Sequence, residues 1–319
     1  MILTRVRNAA KRILERSKRR TAHDRLVIAA NMGVCDEVEL IGPSIRHLRA
    51  IGVDLIVITD VGSADGTTDI LREFARDPDI HLIELSRDAD PWGFPERMYQ
   101  HTMANHEVDR VLFLDPDEFW LPSTGRLKDL PWLLDTDVAR VSNFNVPMVE
   151  QRPSSPADLR PENYRNIYFV TDPVRDGRSK VDNDPRATIS MIGVPPKVMI
   201  NPDRVVGASM GCHDAVKKPG IEPRSLAPTE VVIAHYQFTT LARFERKVAN
   251  IRRSFEHFGH RLDRNQAWHW RRWLEMADEG RIEEEFHRQA ITQPEFDALR
   301  SSGVIQSAQQ WLDGKGVAG

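Results

Sequence analysis

Three carboxylates crowd the end of one apolar run in Val111-Leu-Phe-Leu-Asp115-Pro-Asp117-Glu118-Phe119-Trp120. A run of that kind reads as a buried strand, and strand alternation would put Asp115 and Asp117 on one side and Glu118 on the other. Carboxylates this close repel one another unless a cation or a proton intervenes, so a divalent metal is the natural guest. The competing reading is an acidic turn whose side chains are merely solvated. A second loop of the same character, Asp60-Val-Gly-Ser-Ala-Asp65-Gly-Thr-Thr68, ends an earlier apolar run about fifty residues before. Its glycines and aspartates mark a turn into a helix, with Asp65 placed to cap it.

The elements that would carry these loops alternate. Apolar runs at 25–30, 53–59, 80–85 and 111–115 read as strands, and helical spacing follows the first three. This β-α-β-α-β-α-β pattern predicts an α/β fold with a largely parallel sheet, covered by helices on both faces. Ligands of such sheets sit beyond the carboxyl ends of the strands, and both acidic loops fall there. Residues 150–190 are rich in proline and charge, the signature of a mobile lid or substrate loop. Further strands are expected at Lys197–Ile200, Val231–Ala234 and from Val138 to Val149. A helical region runs from Leu241 to about Glu285, with Trp268, Trp270 and Trp273 set to dock a helix on the core or to line a groove.

Composition narrows the classes. The chain has 319 residues and a net charge of −3, which gives no whole-protein attraction to nucleic acid. Arg5, Arg7, Lys11, Arg12, Arg16, Lys18, Arg19 and Arg20 crowd the first twenty positions with Glu15 as the sole acid. That leader, residues 1–23, reads as a basic helix suited to an anionic membrane face, or as a solvated terminal helix. No signal peptide or membrane span is visible, and two cysteines, Cys35 and Cys212, are too few for a disulfide framework. A cytoplasmic setting is expected, peripheral at the inner membrane face if the leader binds there.

Taken together, the loops at Asp60 to Thr67 and Asp115 to Phe119 resemble the motifs of GT-A fold glycosyltransferases, in a family-2-like branch with a D-x-D-E-F pattern. The likeness extends to Lys197 with Gly211-Cys-His213, and to Ala234-His235-Tyr236 followed by Phe244 and Lys247. It implies a Rossmann-like nucleotide-sugar domain over 24–238 and a helical C-terminal extension over 239–319. It assigns Asp60 to the donor base, and Asp115 and Asp117 to the ribose and to a Mn²⁺ or Mg²⁺ ion on the diphosphate. His213 is the implied third metal ligand, with His235 as rival. Lys197, Lys247 and Arg243 are candidates for neutralising phosphate. An inverting transfer needs a general base, for which Glu150 and Asp214 are the candidates. Two departures stand out: no E-D pair precedes the helical tail, and Asn31-Met-Gly33 stands where relatives show Asn-Glu. The implied function is metal-dependent sugar transfer from a nucleoside-diphosphate sugar to a glycan or lipid-linked acceptor.

Two rival readings remain open. A haloacid-dehalogenase-like phosphatase also ends a strand in Asp-x-Asp, yet Phe119 stands where that motif carries a small or β-branched residue. A non-catalytic nucleotide- or glycan-binding module on the same fold is the other.

Overall fold

The computed structural model describes residues 24–89, 94–150, 154–174, 176–184, 186–262 and 267–315. The basic leader therefore lies outside the described residues. In chain order the elements begin with β1 (Ile28–Val34), α1 (Ile41–Ala50), β2 (Leu55–Val61), α2 (Thr67–Phe74), β3 (Ile80–Leu85), α3 (Phe94–Asn105) and β4 (Arg110–Leu114). They continue with β5 (Glu118–Pro122), β6 (Val138–Val141), β7 (Asn143–Asn145), β8 (Met148–Val149), β9 (Tyr168–Val170) and α4 (Gly177–Asn183). Next come β10 (Lys197–Ile200), β11 (Val205–Ala208), β12 (Ala215–Lys217), β13 (Ser225–Leu226), β14 (Val231–His235) and α5 (Leu241–Phe258). The chain closes with α6 (Trp268–Asp278), α7 (Ile282–Arg288), β15 (Ala290–Ile291), α8 (Gln293–Ser301), β16 (Ile305–Ser307) and α9 (Ala308–Lys315).

The central sheet has seven strands in the order β13-β6-β10-β4-β1-β2-β3. Strands β3, β2, β1 and β4 run parallel, which is the α/β architecture expected from the alternation. A parallel sheet covered on both faces needs apolar residues at every position. Accordingly Ile28, Ala29, Ala30 and Met32 of β1 are all fully buried, and so are Val111, Leu112 and Phe113 of β4. Helix α1 ends at Ala50 with Ile51 as its cap, and Gly52, at φ +89°, turns the chain back towards β2. A side chain at that φ is strained, so glycine makes the reversal without that cost.

Two features of the sheet aim residues at its carboxyl edge. Strand β10 is antiparallel to β4, with Met199 opposite Leu112 and Ile200 opposite Val111. Its first residue, Lys197, therefore lies level with the end of β4. A separate three-stranded sheet, β5-β14-β7, continues from that end, and β14 is antiparallel to β5 with His235 opposite Glu118.

The stretch 150–190, expected as a lid or substrate loop, is anchored to the fold at several of its described residues. Tyr164, Phe169, Val181 and Ile189 are buried, and Gln289 accepts the Ile189 amide while Arg288 donates to the carbonyls of Val181 and Asp184. Most of its described charged residues are exposed or half-buried, while Tyr164, Ile167, Phe169, Val170, Val181 and Ile189 anchor it. The C-terminal part likewise contributes strands as well as helices, because β15 pairs with β8 and β16 with β9. Among the described residues no helix is long and apolar enough to cross a membrane.

One buried group makes the fold acid-sensitive. His47 on α1 donates from Nε2 to the Trp120 carbonyl at 2.7 Å, and burial lowers its pKa from 6.5 to about 4 despite that bond. The unfolded chain takes up a proton below pH 6.5 that the folded chain refuses until about pH 4, so stability falls across that window. Between pH 7 and pH 4.5 this group alone should cost about 2–3 kcal/mol. Urea unfolding of His47→Gln, whose amide can keep the bond, should show a correspondingly shallower loss; an unchanged pH slope would refute the assignment.

Candidate active site at the carboxyl edge of the sheet

Strand β4 stops at Leu114, and Asp115-Pro116-Asp117 forms a turn in which the Glu118 amide donates to the Asp115 carbonyl at 3.1 Å. Strand alternation therefore does not govern the carboxylates, and their sides are the reverse of the sequence expectation. Asp115 and Glu118 share a cation: Lys197 Nζ lies 2.6 Å from Asp115 Oδ2 and 3.2 Å from Glu118 Oε2. Glu118 also accepts the Asp115 amide at 2.9 Å and the Asn143 side-chain amide at 2.9 Å. Asp117 turns the other way, into a pocket of different cations.

Those cations come from α5. Thr240 caps this helix by accepting the Arg243 amide, and residues four apart then share a face. Arg243 donates to Asp117 Oδ2 at 2.7 Å, Lys247 Nζ lies 3.3 Å from the same oxygen, and His235 Nε2 lies 3.5 Å from it. Arg243 also grips Glu37 with two bonds, at 2.7 and 2.9 Å. This guanidinium thus joins the loop after β1 to the turn after β4. Further along the same face, Asn250 contacts the Cys35 carbonyl and Arg87.

Burial and charge compete at each group. Burial would raise the pKa of Asp117, but Lys247, His235 and Arg243 outweigh it and hold the carboxyl well below the usual range. Glu118 goes up, because burial outweighs the pull of Lys197. Burial would lower Lys197, but Asp115 and Glu118 raise it further, so it stays an ammonium. Burial, then Lys247 and His235, lower His269 to about 4, which makes it a neutral imidazole beside these two residues.

The expected metal ligands are not gathered. Among the described residues, no three His, Cys, Asp or Glu side chains are grouped so that they could hold a metal ion. Asp117 is spent on Arg243, Lys247 and His235, and Asp115 on Lys197. His213 bonds through Nδ1 to the Pro196 carbonyl, and burial followed by the charge of Lys197 lowers its pKa. The physical reason is charge: the chain's own cations already neutralise these carboxylates, so Asp115, Asp117 and His213, or His235 in its place, do not fit a Mn²⁺ or Mg²⁺ site on their own.

The other expected residues divide. Asp60 is 1% exposed, and its oxygens accept from the Ser63 amide, the Ser63 hydroxyl and the Thr68 hydroxyl. It organises its own loop, and Asp65 likewise takes the Thr67 amide and hydroxyl. Asp214 pairs with Arg140 and its own neighbour's amide, at Ala215. Glu150, by contrast, is exposed with no side-chain partner among the described residues, on a cleft of about 520 Å³ shared with Thr239, Thr240 and His287.

Sequence reasoning missed Asp36, Glu37 and His269. Strand β1 runs on to Val34, so Asn31, bonded to Thr102 at 2.8 Å, is interior to it and the acids of the first loop come five residues later. Asp36, at φ +57°, accepts the Ala64 amide and Arg87. His269 gave a signal in its place among three tryptophans, but that cluster reads equally as a docking face. Trp273, fully buried against Phe244 and Phe238, shows that docking is part of its role.

A comparison with curated proteins yields no match. Among solved structures the chain is similar to S. aureus TarS 1-349, at 13% identity and a TM-score of 0.39 over 72% of this chain and 66% of that one. It is also similar to glucosyl-3-phosphoglycerate synthase from Mycobacterium tuberculosis, crystallised with Mn²⁺, UDP and phosphoglyceric acid, at 14% identity and a TM-score of 0.30 over 59% of this chain and 60% of that one. The chain spans 38% of the longer TarS structure and just under two thirds of the 1-349 fragment. A family profile described as glycosyltransferase family 92 matches residues 27–275. That match runs from just before β1 into α6 and takes in the Asp115–Glu118 turn with Lys197, His235, Arg243 and Lys247, and the chain belongs to glycosyltransferase family 92.

Proposed function

We propose that the protein transfers a sugar, with inversion, from a nucleoside-diphosphate sugar to a hydroxyl of a glycan or lipid-linked acceptor. The observation that carries this reading is the convergence of Lys197, from β10, and Lys247 with Arg243, from α5, on the two sides of the Asp115–Glu118 turn. Cations delivered from separate elements to the carboxyl edge of a parallel sheet suit a diphosphate that gains charge as it leaves. In this reading the D-x-D-E-F motif, Asp115 to Phe119, keeps its likeness to a family-2-like branch, though its carboxylates act chiefly by fixing the buried Lys197 and Arg243 and by holding Lys247, 24% exposed, where it can meet phosphate. Asp60 contributes by shaping the loop that receives the base. Asp115, whose side chain is 56% exposed, is the carboxylate able to reach a Mn²⁺ or Mg²⁺ ion that arrives with the donor. Such an ion would add to the neutralisation of the diphosphate.

Glu150 is the proposed general base. It is the candidate with an uncommitted carboxylate, whereas Asp214 is held by Arg140. The domain scheme, with the donor site in 24–238 and the cationic face of α5 supplied by 239–319, belongs to the same proposal.

Calorimetric titration with a panel of nucleoside diphosphates and their sugars tests the reading. At least one should bind saturably, and Lys247→Met should weaken it about tenfold or more, as expected for loss of a charge-assisted contact. Mn²⁺ alone should give no saturable heat, because the chain's own carboxylates are already paired. Hydrolysis of simple phosphate esters without nucleotide binding would favour the phosphatase instead.

A further inference from the structure

Among the described residues a large cavity lies beside the proposed site, apart from the Asp115–Glu118 turn. It encloses about 780 Å³ between one face of α1 and the segment 154–161. Along α1 that face presents Pro43, Arg46 and Ala50, with Glu39 in the turn just before the helix. Its inner end is polar. There Glu39 accepts the Thr240 hydroxyl and pairs with Arg246, and Thr239 and Thr240 also line the neighbouring cleft that holds Glu150. The Ser154 hydroxyl is buried at the wall without a hydrogen-bond partner among the described residues.

The outer end is apolar. Gly125 leaves no room for a side chain beside Pro161, Tyr164 is bonded back to the Pro122 carbonyl, and Ile51 and Ala50 close the opposite wall. The facing segment adds Ser155 and the mutually paired Asp158 and Arg160, so the apolar wall lies at Ala50, Ile51, Leu159 and Pro161, where a sugar hydroxyl buried unpaired would cost about 1–3 kcal/mol. Between the two ends stands Arg46, exposed and without a carboxylate partner among the described residues. Seven residues of helical rise set it about 10 Å from the inner end. Polar groups at the Glu150 side, Arg46 midway and largely apolar walls beyond, with Asp158 and Arg160 already paired to each other on the facing segment, match an amphipathic molecule with an anionic head.

We propose that this cavity is the acceptor site for a lipid-linked phosphate: the hydroxyl to be glycosylated lies at Thr239–Thr240, the phosphate at Arg46, and the hydrocarbon chain between Ala50, Ile51 and Tyr164. This rests on the glycosyltransferase reading above and names the acceptor class for it. The chemistry is that of an apolar chain joined to a phosphate, and the occupant is taken to be the acceptor lipid itself.

Calorimetry on the full chain with dodecyl phosphate, below its micelle concentration, tests the assignment. Saturable one-to-one binding is expected. Ala50→Trp, an exposed position whose new indole fills the outer end, should weaken it at least tenfold, and Arg46→Ala severalfold, with nucleoside-diphosphate binding unchanged in both. Inorganic phosphate at millimolar concentration should not compete. Unchanged binding to Ala50→Trp, equal competition by inorganic phosphate, or equal affinity for uncharged dodecyl maltoside would overturn the proposal. A wild-type protein that binds nucleotide but not dodecyl phosphate removes the lipid acceptor and leaves the donor reading intact. One that binds dodecyl phosphate but no nucleotide removes the donor reading and supports the cavity's chemistry.

Discussion

Arg243→Leu should lower the free energy of unfolding by about 3–5 kcal/mol, the range for removing one partner from a buried ion network. The guanidinium is 2% exposed at its side chain and satisfies two carboxylates, Glu37 and Asp117, which are themselves at most 13% exposed. Leucine of similar bulk fills the space but leaves two buried acids without their main counter-ion. Both would then be driven to protonate, so the loss should be larger at pH 8 than at pH 5.5. Chemical denaturation at the two pH values measures this. The double variant Arg243→Leu, Glu37→Gln should recover part of the loss, because one of the stranded charges is gone. A single-variant cost below about 1 kcal/mol would show that the network contributes little.

Glu150→Gln should leave nucleotide binding and stability unchanged while cutting turnover by about 10²–10⁴-fold, the usual contribution of a general base. The amide keeps the shape of the side chain and cannot accept the acceptor's proton. Because Glu150 is exposed with no side-chain partner among the described residues, its replacement strands no buried group. The decisive comparison is turnover against donor affinity in the same preparation. A fall in both together would point to a structural role, and no fall in turnover would pass the role to another group.

What could be read beforehand follows a physical divide. The parallel core was legible because burial on both faces demands unbroken apolar runs, such as Val111 to Leu114, and the carboxyl-edge rule then placed both acidic loops correctly. The facing of the acidic triplet was misread because Pro116 and the amide of Glu118 make a turn where alternation had been assumed. Counting strand residues cannot reveal where a strand stops. The Glu37–Arg243 pair was illegible for a different reason: 206 residues separate its members, and no local pattern links a side chain to a partner that only the packing of α5 supplies. His269 lay between these cases, visible as a residue but indistinguishable from its docking tryptophans. The pairing of the acids with cations was equally hidden, since the sequence displays the acids side by side and disperses the lysines and arginine that neutralise them.

The pairing of β15 with β8 and of β16 with β9 bears on how the chain can be shortened. Trp311 and Leu312 pack with Tyr164 and Phe169 in one buried cluster, so the final thirty or so residues act as a belt around the middle of the sequence. Trimming the protein at position 289 would unbuckle that belt, freeing two strand edges and slackening the outer wall of the 780 Å³ cavity. A minimal catalytic fragment of this enzyme family member therefore cannot end where the family match ends.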